Sequence, residues 1–376
     1  MRLTARQLNR ATLHRQLLLR RAPLDTLEAV RRVVAIQAQE PASPYIALWG
    51  RVAGFDPSTL DAAFADGSIV KASLMRITLH AVLGTDYPAF HEAMQSTLRA
   101  SRLHDRRFAA SGLTIEQADG LVDAVLAHAG EPRSNAAMEA FLAGQPPGPN
   151  GTAAWWALRT YAPVRHAPTG GPWAFGPRPS YVASGSPRPG MDRAAALQRL
   201  VVRYLEGFGP AAIADIAQFA LLRRPIVREA VEALGERLVR REGPDGADLL
   251  DVPNGIVPDE DVPAPPRLLA MWDSILLAYA DRGRIIPADL RRRLIQRNGD
   301  VLPAVLVDGA VAGVWRPVEG GIEVSAFHRL DDDAWAGLAD EARALRTFLA
   351  GREPLAYRRY GRWWTSVGAP QVRVLG

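Results

Sequence analysis

Apolar residues recur at helical spacing along most of the chain, with short alternating runs between them. From Thr26 to Ile36, Leu27, Val30, Val33 and Val34 fall on one side and Glu28, Arg31 and Arg32 on the other, which predicts an amphipathic helix. Ahead of it, Thr4 to Leu19 reads as a helix opened by a capping box, Thr4 with Gln7 three residues on. Behind it, Ser43-Pro44 marks a helix start, with Ser as N-cap and Pro at the first helical position. A further helix follows from Pro57 to Ala65. Ile69 to Ala72 and Arg76 to Val82 then predict a strand pair. Tyr87 to Phe108 continues as a helix carrying Arg99, Arg102, His104, Arg106 and Arg107, a basic run that suits a solvated face or a contact with DNA backbone.

Helix, turn, helix and strand pair, in that order, make a winged helix-turn-helix over residues 1–110. A second unit, 111–190, has helices Thr114–Ala129, Ser134–Leu142 and Thr152–Tyr161. It adds a hairpin from Val164 to Tyr181 turning at Thr169-Gly170-Gly171, with Trp173 and Phe175 alternating across its second strand. A Gly/Pro-rich linker, Ser184 to Gly190, ends it. A third unit, 191–255, has helices Arg193–Glu206, Ala211–Ala220 and Arg224–Leu234, then a wing from Leu238 to Val252. Pro253 to Pro266 is acidic and proline-rich and marks a boundary. Strands Val301–Val307, Ala310–Val318 and Ile322–Phe327, joined by the tight turns Asp308-Gly309 and Gly320-Gly321, and a closing helix Asp331–Leu349 predict a mixed, barrel-like domain over 265–376. The expected fold class is therefore α+β: tandem winged helix-turn-helix units followed by a mixed C-terminal sheet. The tail Tyr357 to Trp364 interleaves arginine with aromatics. That pattern suits stacking on nucleic acid and equally suits docking on its own domain.

Composition narrows the class. The 376 residues are 48% hydrophobic and 23% charged, ordinary for a soluble globular protein with ample core. There is no cysteine, hence no disulfide, thiol nucleophile or thiolate metal site. The N-terminus lacks the apolar core of a signal peptide, and the stretch Leu268 to Ala280 is too short to span a bilayer. The expected setting is the cytoplasm, with no membrane. Net charge is +5, and Lys71 is the only lysine. Arginine's planar fork suits phosphate and base edges, although a GC-rich genome would produce the same bias.

The polar break in this pattern is Gln37-Ala38-Gln39-Glu40-Pro41. Pro41 disfavours helical backbone at Glu40, so the helix before it should end about there. On a helix, residues two apart point roughly 200° apart; in extended backbone they share a face. A chain that unwinds at Gln37 could aim both amides at one point. Otherwise they are two solvated residues at a helix end.

Gln37-Ala38-Gln39 in this place, Arg76-Ile77-Thr78-Leu79-His80, and Met271-Trp272-Asp273-Ser274-Ile275-Leu276-Leu277 followed by Asp281-Arg282 resemble the AlkZ/YcaQ family of winged-helix DNA glycosylases. The likeness runs through nearly the whole chain. Gln-x-Gln rather than Gln-x-Asp places it nearest the AlkZ branch. The resemblance implies a monofunctional DNA glycosylase with Gln37 and Gln39 as its catalytic pair. It implies double-stranded DNA as partner, bearing bulky N7-alkylpurine adducts or azinomycin-type interstrand crosslinks. The expected form is a monomer, associated with the nucleoid through DNA.

The chemistry of two amides agrees with that. A glutamine cannot take a proton at neutral pH; it only donates and accepts hydrogen bonds. It therefore cannot replace the carboxylate needed for a poor leaving group. A guanine alkylated at N7 is cationic and departs as a neutral base. Such a reaction needs a held water and dipoles that favour the sugar oxocarbenium ion. Arg51, Arg76 and His80 lie close in sequence to the pair and are expected as supporting or phosphate-contacting residues; His80 could equally satisfy backbone groups under the wing. Glu40 has odd spacing from both glutamines and reads as a solvated charge or helix-end ligand. Trp49 reads as core. A Schiff-base mechanism would require Lys71 to face the site. The seven histidines are scattered and none has metal-site spacing, so neither metal nor cofactor is expected. The alternatives to an enzyme are a non-catalytic winged-helix transcriptional regulator and a protein-docking module.

Overall fold

Thr4 caps the first helix as its spacing predicts: its hydroxyl accepts the Gln7 N–H, and the Gln7 side chain accepts the Thr4 N–H. The computed structural model describes residues 2–184 and 191–376. Helix α1 (Ala5–Arg15) is followed by α2 (Thr26–Val33), which Asp25 caps. Val34, at φ +72°, ends α2 and turns the chain into the short strand β1 (Ile36–Gln37). The next helix, α3 (Ala42–Trp49), starts ahead of the predicted Ser43 cap. Ser43 makes no cap bond; its Oγ lies 3.1 Å from the Tyr357 hydroxyl. Asp56 caps α4 (Pro57–Asp66), and β2 (Ile69–Ser73) and β3 (Leu79–Leu83) complete a three-stranded sheet in the order β1-β3-β2. The strand predicted from Arg76 begins only at Leu79, because Met75–Ile77 form a 3-10 turn. Arg76 and Ile77 sit there at φ +54° and +59°. Two consecutive left-handed residues, one β-branched, cost on the order of 1–3 kcal/mol each, so the surrounding contacts must hold them.

The long basic helix divides into α5 (Tyr87–Leu103) and α6 (Arg106–Ala109), because Asp105 caps the second piece. A second capping box, Thr114 with Gln117, opens α7 (Ile115–Gly120), and α8 (Val122–His128) follows after a break at Leu121. Next come β4 (Arg133–Ser134), α9 (Asn135–Ala143), α10 (Gly151–Tyr161), β5 (Val164–Ala167) and β6 (Ser180–Ala183), with sheet order β4-β6-β5. Trp173 and Phe175 are not on the second strand as predicted. They lie in the connection and are buried against Tyr45 and Phe64, so burial between units, not strand alternation, explains them. Residues 185–190 of the expected linker lie outside the described residues.

Helices α11 (Arg193–Phe208), α12 (Ile213–Ala220) and α13 (Arg224–Leu234) precede the ribbon β7 (Val239–Glu242) and β8 (Asp248–Asp251). The C-terminal part contains β9 (Arg267–Leu268), α14 (Arg291–Leu294), β10 (Ala304–Val307), β11 (Ala310–Val318), β12 (Gly321–Ala326), α15 (Asp332–Ala350) and β13 (Gln371–Leu375). Strand order is β13-β12-β11-β10-β9, so the sheet is open, with edges at β9 and β13, and not a closed barrel. Strand β13 was missed in the sequence because it follows the aromatic tail and pairs with β12 from far along the chain.

One contiguous cluster of buried apolar side chains runs from Leu13 to Trp364 and draws on every part of the chain. Trp155, Trp315, Tyr45 and Tyr204 are among its largest members. Among the described residues, no helix is long and apolar enough to cross a membrane.

Candidate functional site

Strand β1 pairs with β3, with Gln37 opposite His80 and Ile36 opposite Ala81. The pairing extends to Ala38, whose N–H donates to the Leu79 carbonyl at 2.8 Å. The predicted unwinding at Gln37 is therefore present, and both carboxamides reach the same short segment. The Gln37 Nε2 donates to the Thr78 Oγ1 at 3.2 Å, and the Gln39 Oε1 accepts the Leu79 N–H at 3.3 Å. Their settings differ. Gln37 is 3% exposed, whereas Gln39 is open to solvent.

Beneath Gln37 the strained Arg76 turn delivers a guanidinium. The Arg76 Nη2 donates to the Gln37 Oε1 at 2.9 Å and to the His80 Nε2 at 3.2 Å. Its Nη1 donates to the Phe219 carbonyl at 3.4 Å, and its Cζ lies 5.3 Å from the centre of that ring. No carboxylate pairs with it among the described residues. Burial, then the repulsion of Arg282, lowers its pKa to about 10, so it stays charged near neutrality. Burial and the Arg76 charge push His80 down to about 3. His80 is therefore neutral, and its tautomer follows. Arginine offers no acceptor, so Nε2 accepts and the Nδ1–H donates to the Thr78 carbonyl at 3.1 Å. Thr78 closes the chain of contacts by donating its hydroxyl to the Met75 carbonyl at 3.0 Å.

Arg51 is not part of this cluster. Its guanidinium forms a bidentate pair with Asp273, both contacts at 2.8 Å, and the side chains are only 3% and 1% exposed. It is closed to DNA. It acts on the glutamine strand only at a remove: Ser274, next to Asp273, donates its hydroxyl to the Ala35 carbonyl at 2.7 Å. This also places the Met271–Leu277 stretch, which the sequence left without a role, as a brace under β1.

Glu40 is not a solvated charge. Its carboxylate is bound by Arg359 and accepts the Tyr360 hydroxyl at 3.2 Å. Burial raises its pKa although Arg359 opposes the shift. The arginine-aromatic tail thus docks on its own chain, with Tyr357 buried, Tyr360 edge-on to Trp272, and the Trp363 Nε1 donating to Asp300 at 2.8 Å. Lys71 lies opposite Ala81 on the register row of Ile36, whereas Gln37 shares its row with His80 and Ala72. The two rows face opposite sides of the sheet. Lys71 packs 4.2 Å from the Phe175 ring, and burial lowers its pKa to about 8. Trp49 is core, stacked under Arg21.

Gln39 and Thr78 open onto a half-enclosed cavity of about 200 Å³ that also includes Arg102, Trp156, Arg159, Thr160, His166 and Tyr181. Gln37 lies one side chain behind it, across Thr78. The residues from α10 and β5 had no local signal, because they lie more than a hundred residues from the glutamine strand and meet it only through tertiary packing. A roomier cleft of about 580 Å³, around His14, Arg31, Arg203 and Asn254, contains none of these residues. Most of its arginines are already paired, Arg15 with Asp251, Arg31 and Arg32 with Glu28, Arg203 with Asp86. Among the described residues, no group of three or more His, Asp or Glu is placed to hold a metal ion.

Comparison with known proteins follows the same outline. Residues 30–348 match a family model described as DNA glycosylase AlkZ-like. An interstrand DNA cross-link repair glycosylase from Streptomyces sahachiroi is 26% identical over 336 residues, which cover 84% of this chain and 88% of the relative. The solved structure of the Streptomyces sahachiroi DNA glycosylase AlkZ superposes with a TM-score of 0.79 at 21% identity, covering 94% of this chain and 99% of the other.

Proposed function

The chain belongs to the AlkZ-like family of DNA glycosylases, and from that premise we propose that it hydrolyses the N-glycosidic bond of cationic N7-alkylated purines in duplex DNA. Unhooking of azinomycin-type interstrand crosslinks is part of the proposal, in keeping with the cross-link repair glycosylase it resembles. The enzyme acts in DNA repair and carries out the hydrolysis as a monomer, without a lyase step.

The observation that carries the reading is the Gln37–Gln39 strand anchored on Arg76–Leu79 beside a basic cavity. Each carboxamide oxygen has two acceptor positions. Gln37 uses one for Arg76 and Gln39 one for the Leu79 N–H, which fixes both amides. In the proposal, the remaining acceptor positions hold the attacking water and turn negative dipole ends toward the sugar cation. His80 is neutral and buried, and supports this by fixing Arg76 instead of moving a proton. Lys71 packs on the Phe175 ring and does not line the cavity beside Gln39, so no Schiff base enters the proposal. We read residues 1–110, 111–190 and 191–255 as three winged units and 265–376 as the C-terminal domain, with the channel between them open enough for a crosslinked base that cannot be fully flipped.

Duplex DNA containing 7-methylguanine tests the reading. Incubation should release the base and leave abasic sites that alkali cleaves, with far slower release of uracil or hypoxanthine. Sequence-preferring binding without product would identify a regulator, and comparable rates on uncharged bases would defeat the leaving-group requirement.

A further inference from the structure

Nearly all of the buried arginines in this protein have a carboxylate or a set of carbonyls. On α5, Arg99 pairs with Asp119. One turn later Arg102 has no such partner, although it is half-buried. Its Nε donates to the Thr160 Oγ1 at 3.0 Å, and its guanidinium lies 4.7 Å from the Trp156 ring centre. Arg159, on α10 beside Thr160, reaches only the Tyr181 hydroxyl, at 3.5 Å. Among the described residues, neither has a carboxylate within ion-pairing distance. The nearest acidic influence on Arg102 is Asp105, whose side chain caps α6. Arg102 and Arg159 repel each other across the cavity that Gln39 enters, and this repulsion adds to burial in lowering the Arg102 pKa.

Two like charges held together in a half-enclosed site are unfavourable unless an anion joins them. The site's shape says which kind. Arg102 and Arg107 both lie over the Trp156 ring, at 4.7 Å and 5.3 Å from its centre, which leaves it a poor platform for a base. A volume of about 200 Å³ suits a compact anion with little room for an adduct. Forked donors and hydroxyls are what a phosphodiester takes.

We propose that Arg102 and Arg159, braced by Thr160, form a phosphodiester clamp that seats the backbone of the lesion-bearing strand beside Gln39. This rests on the reading of Gln39 as a substrate-facing residue. The clamp would also supply what the free site lacks. Arg76 places an uncompensated positive charge behind Gln37, which opposes a sugar cation. A seated phosphate brings negative charge beside Gln39, across Thr78 from Gln37.

The experiment is equilibrium binding to a duplex with a tetrahydrofuran abasic analogue, which cannot be deglycosylated, across a KCl series. The double variant, Arg102→Gln with Arg159→Gln, should flatten the slope of log K against log salt by about 0.9, the value for the one phosphate the pair holds, and each single variant by part of that. Affinity of the double variant at about 150 mM salt should fall roughly five-fold, the same counterion effect for one phosphate. Arg159→Lys and Arg102→Lys keep the charge and should keep the slope, as should the Gln39→Ala protein and the remote control Arg343→Gln. Slopes unchanged in both glutamine variants overturn the clamp. Equal loss of slope in the glutamine and lysine variants also overturns it, since charge would not be what binds. No turnover enters the measurement. Reduced slopes in the glutamine variants but not the lysine variants, together with no release of 7-methylguanine, would therefore keep the clamp and discard the chemistry.

Discussion

Arg76 holds the oxygen of Gln37, with Nη2 to Oε1 at 2.9 Å, and among the described residues no carboxylate pairs with it. The guanidinium arrives there because Arg76 and Ile77 adopt left-handed backbone. A protein that bears that strain and a buried unpaired charge at one turn has its glutamine amide oriented in return. Arg76→Ala should leave the Gln37 amide held only by Thr78, with its oxygen unpartnered. Glycosylase rate on 7-methylguanine duplex should fall by roughly 10²-fold, the scale of a misplaced reacting group. Affinity for undamaged duplex should change little, because Arg76 is behind the cavity and not in it. Single-turnover rates alongside binding isotherms separate the two; a matching loss of affinity would place Arg76 on the DNA.

The two glutamines should fail differently. Gln39→Ala removes an exposed amide and should lower the single-turnover rate by roughly 10²-fold or more, as loss of one preorganised dipole does, with little effect on melting temperature. Gln37→Ala should show the rate loss and also a lower melting temperature, because Gln37 joins Arg76 to Thr78. If Gln39→Ala keeps wild-type turnover, that residue does not hold the water.

Acid should weaken the fold before carboxylates titrate. Burial, reinforced by neighbouring cations at His80 and His166, lowers His80 and His166 to about 3, and burial lowers His91 to about 4. Unfolded, these rings take protons below about 6.5. The unfolded chain then binds more protons than the folded one, so stability is full above that pH and declines as pH falls toward 4. Melting temperatures between pH 7 and 5 should therefore drop with acidity. A flat profile across that window would show that these rings titrate in the folded state as they do in water.

The buried Arg51–Asp273 pair should behave as a brace. Arg51→Ala strands the Asp273 carboxylate, which typically costs about 3–5 kcal/mol. Asp273→Asn in that background should recover part of the loss, because no buried charge is left unmatched. Urea unfolding of the single and double variants gives the coupling. Additive losses would mean the two charges are independent despite contacts of 2.8 Å.

Local features were readable in the chain because they depend on local forces. Capping boxes at Thr4 and Thr114 satisfy their own helix ends, whereas the helix expected to run to about Glu40 ends at Val33, where Val34 takes left-handed backbone. Helical periodicity placed most helices to within a few residues. At Gln37 the sequence left two arrangements open, an extended stretch with both amides on one face or a helix end, and the pairing of Gln37 with His80 decided between them. The positions that went astray share a different cause. The start of β3 moved because the left-handed turn at Arg76 is held not only by His80, four residues on, but by Gln37 and Phe219, which are far along the chain. Trp173 and Phe175 left their expected strand to fill a gap against Tyr45 and Phe64. Glu40 was claimed by Arg359 from 319 residues away. Which residues face the cavity beside Gln39 depends on how α10 packs against α5 and β5 against β2. That arrangement is set by burial of apolar area over the whole core, a force without direction along the chain, so only the tertiary structure decided it.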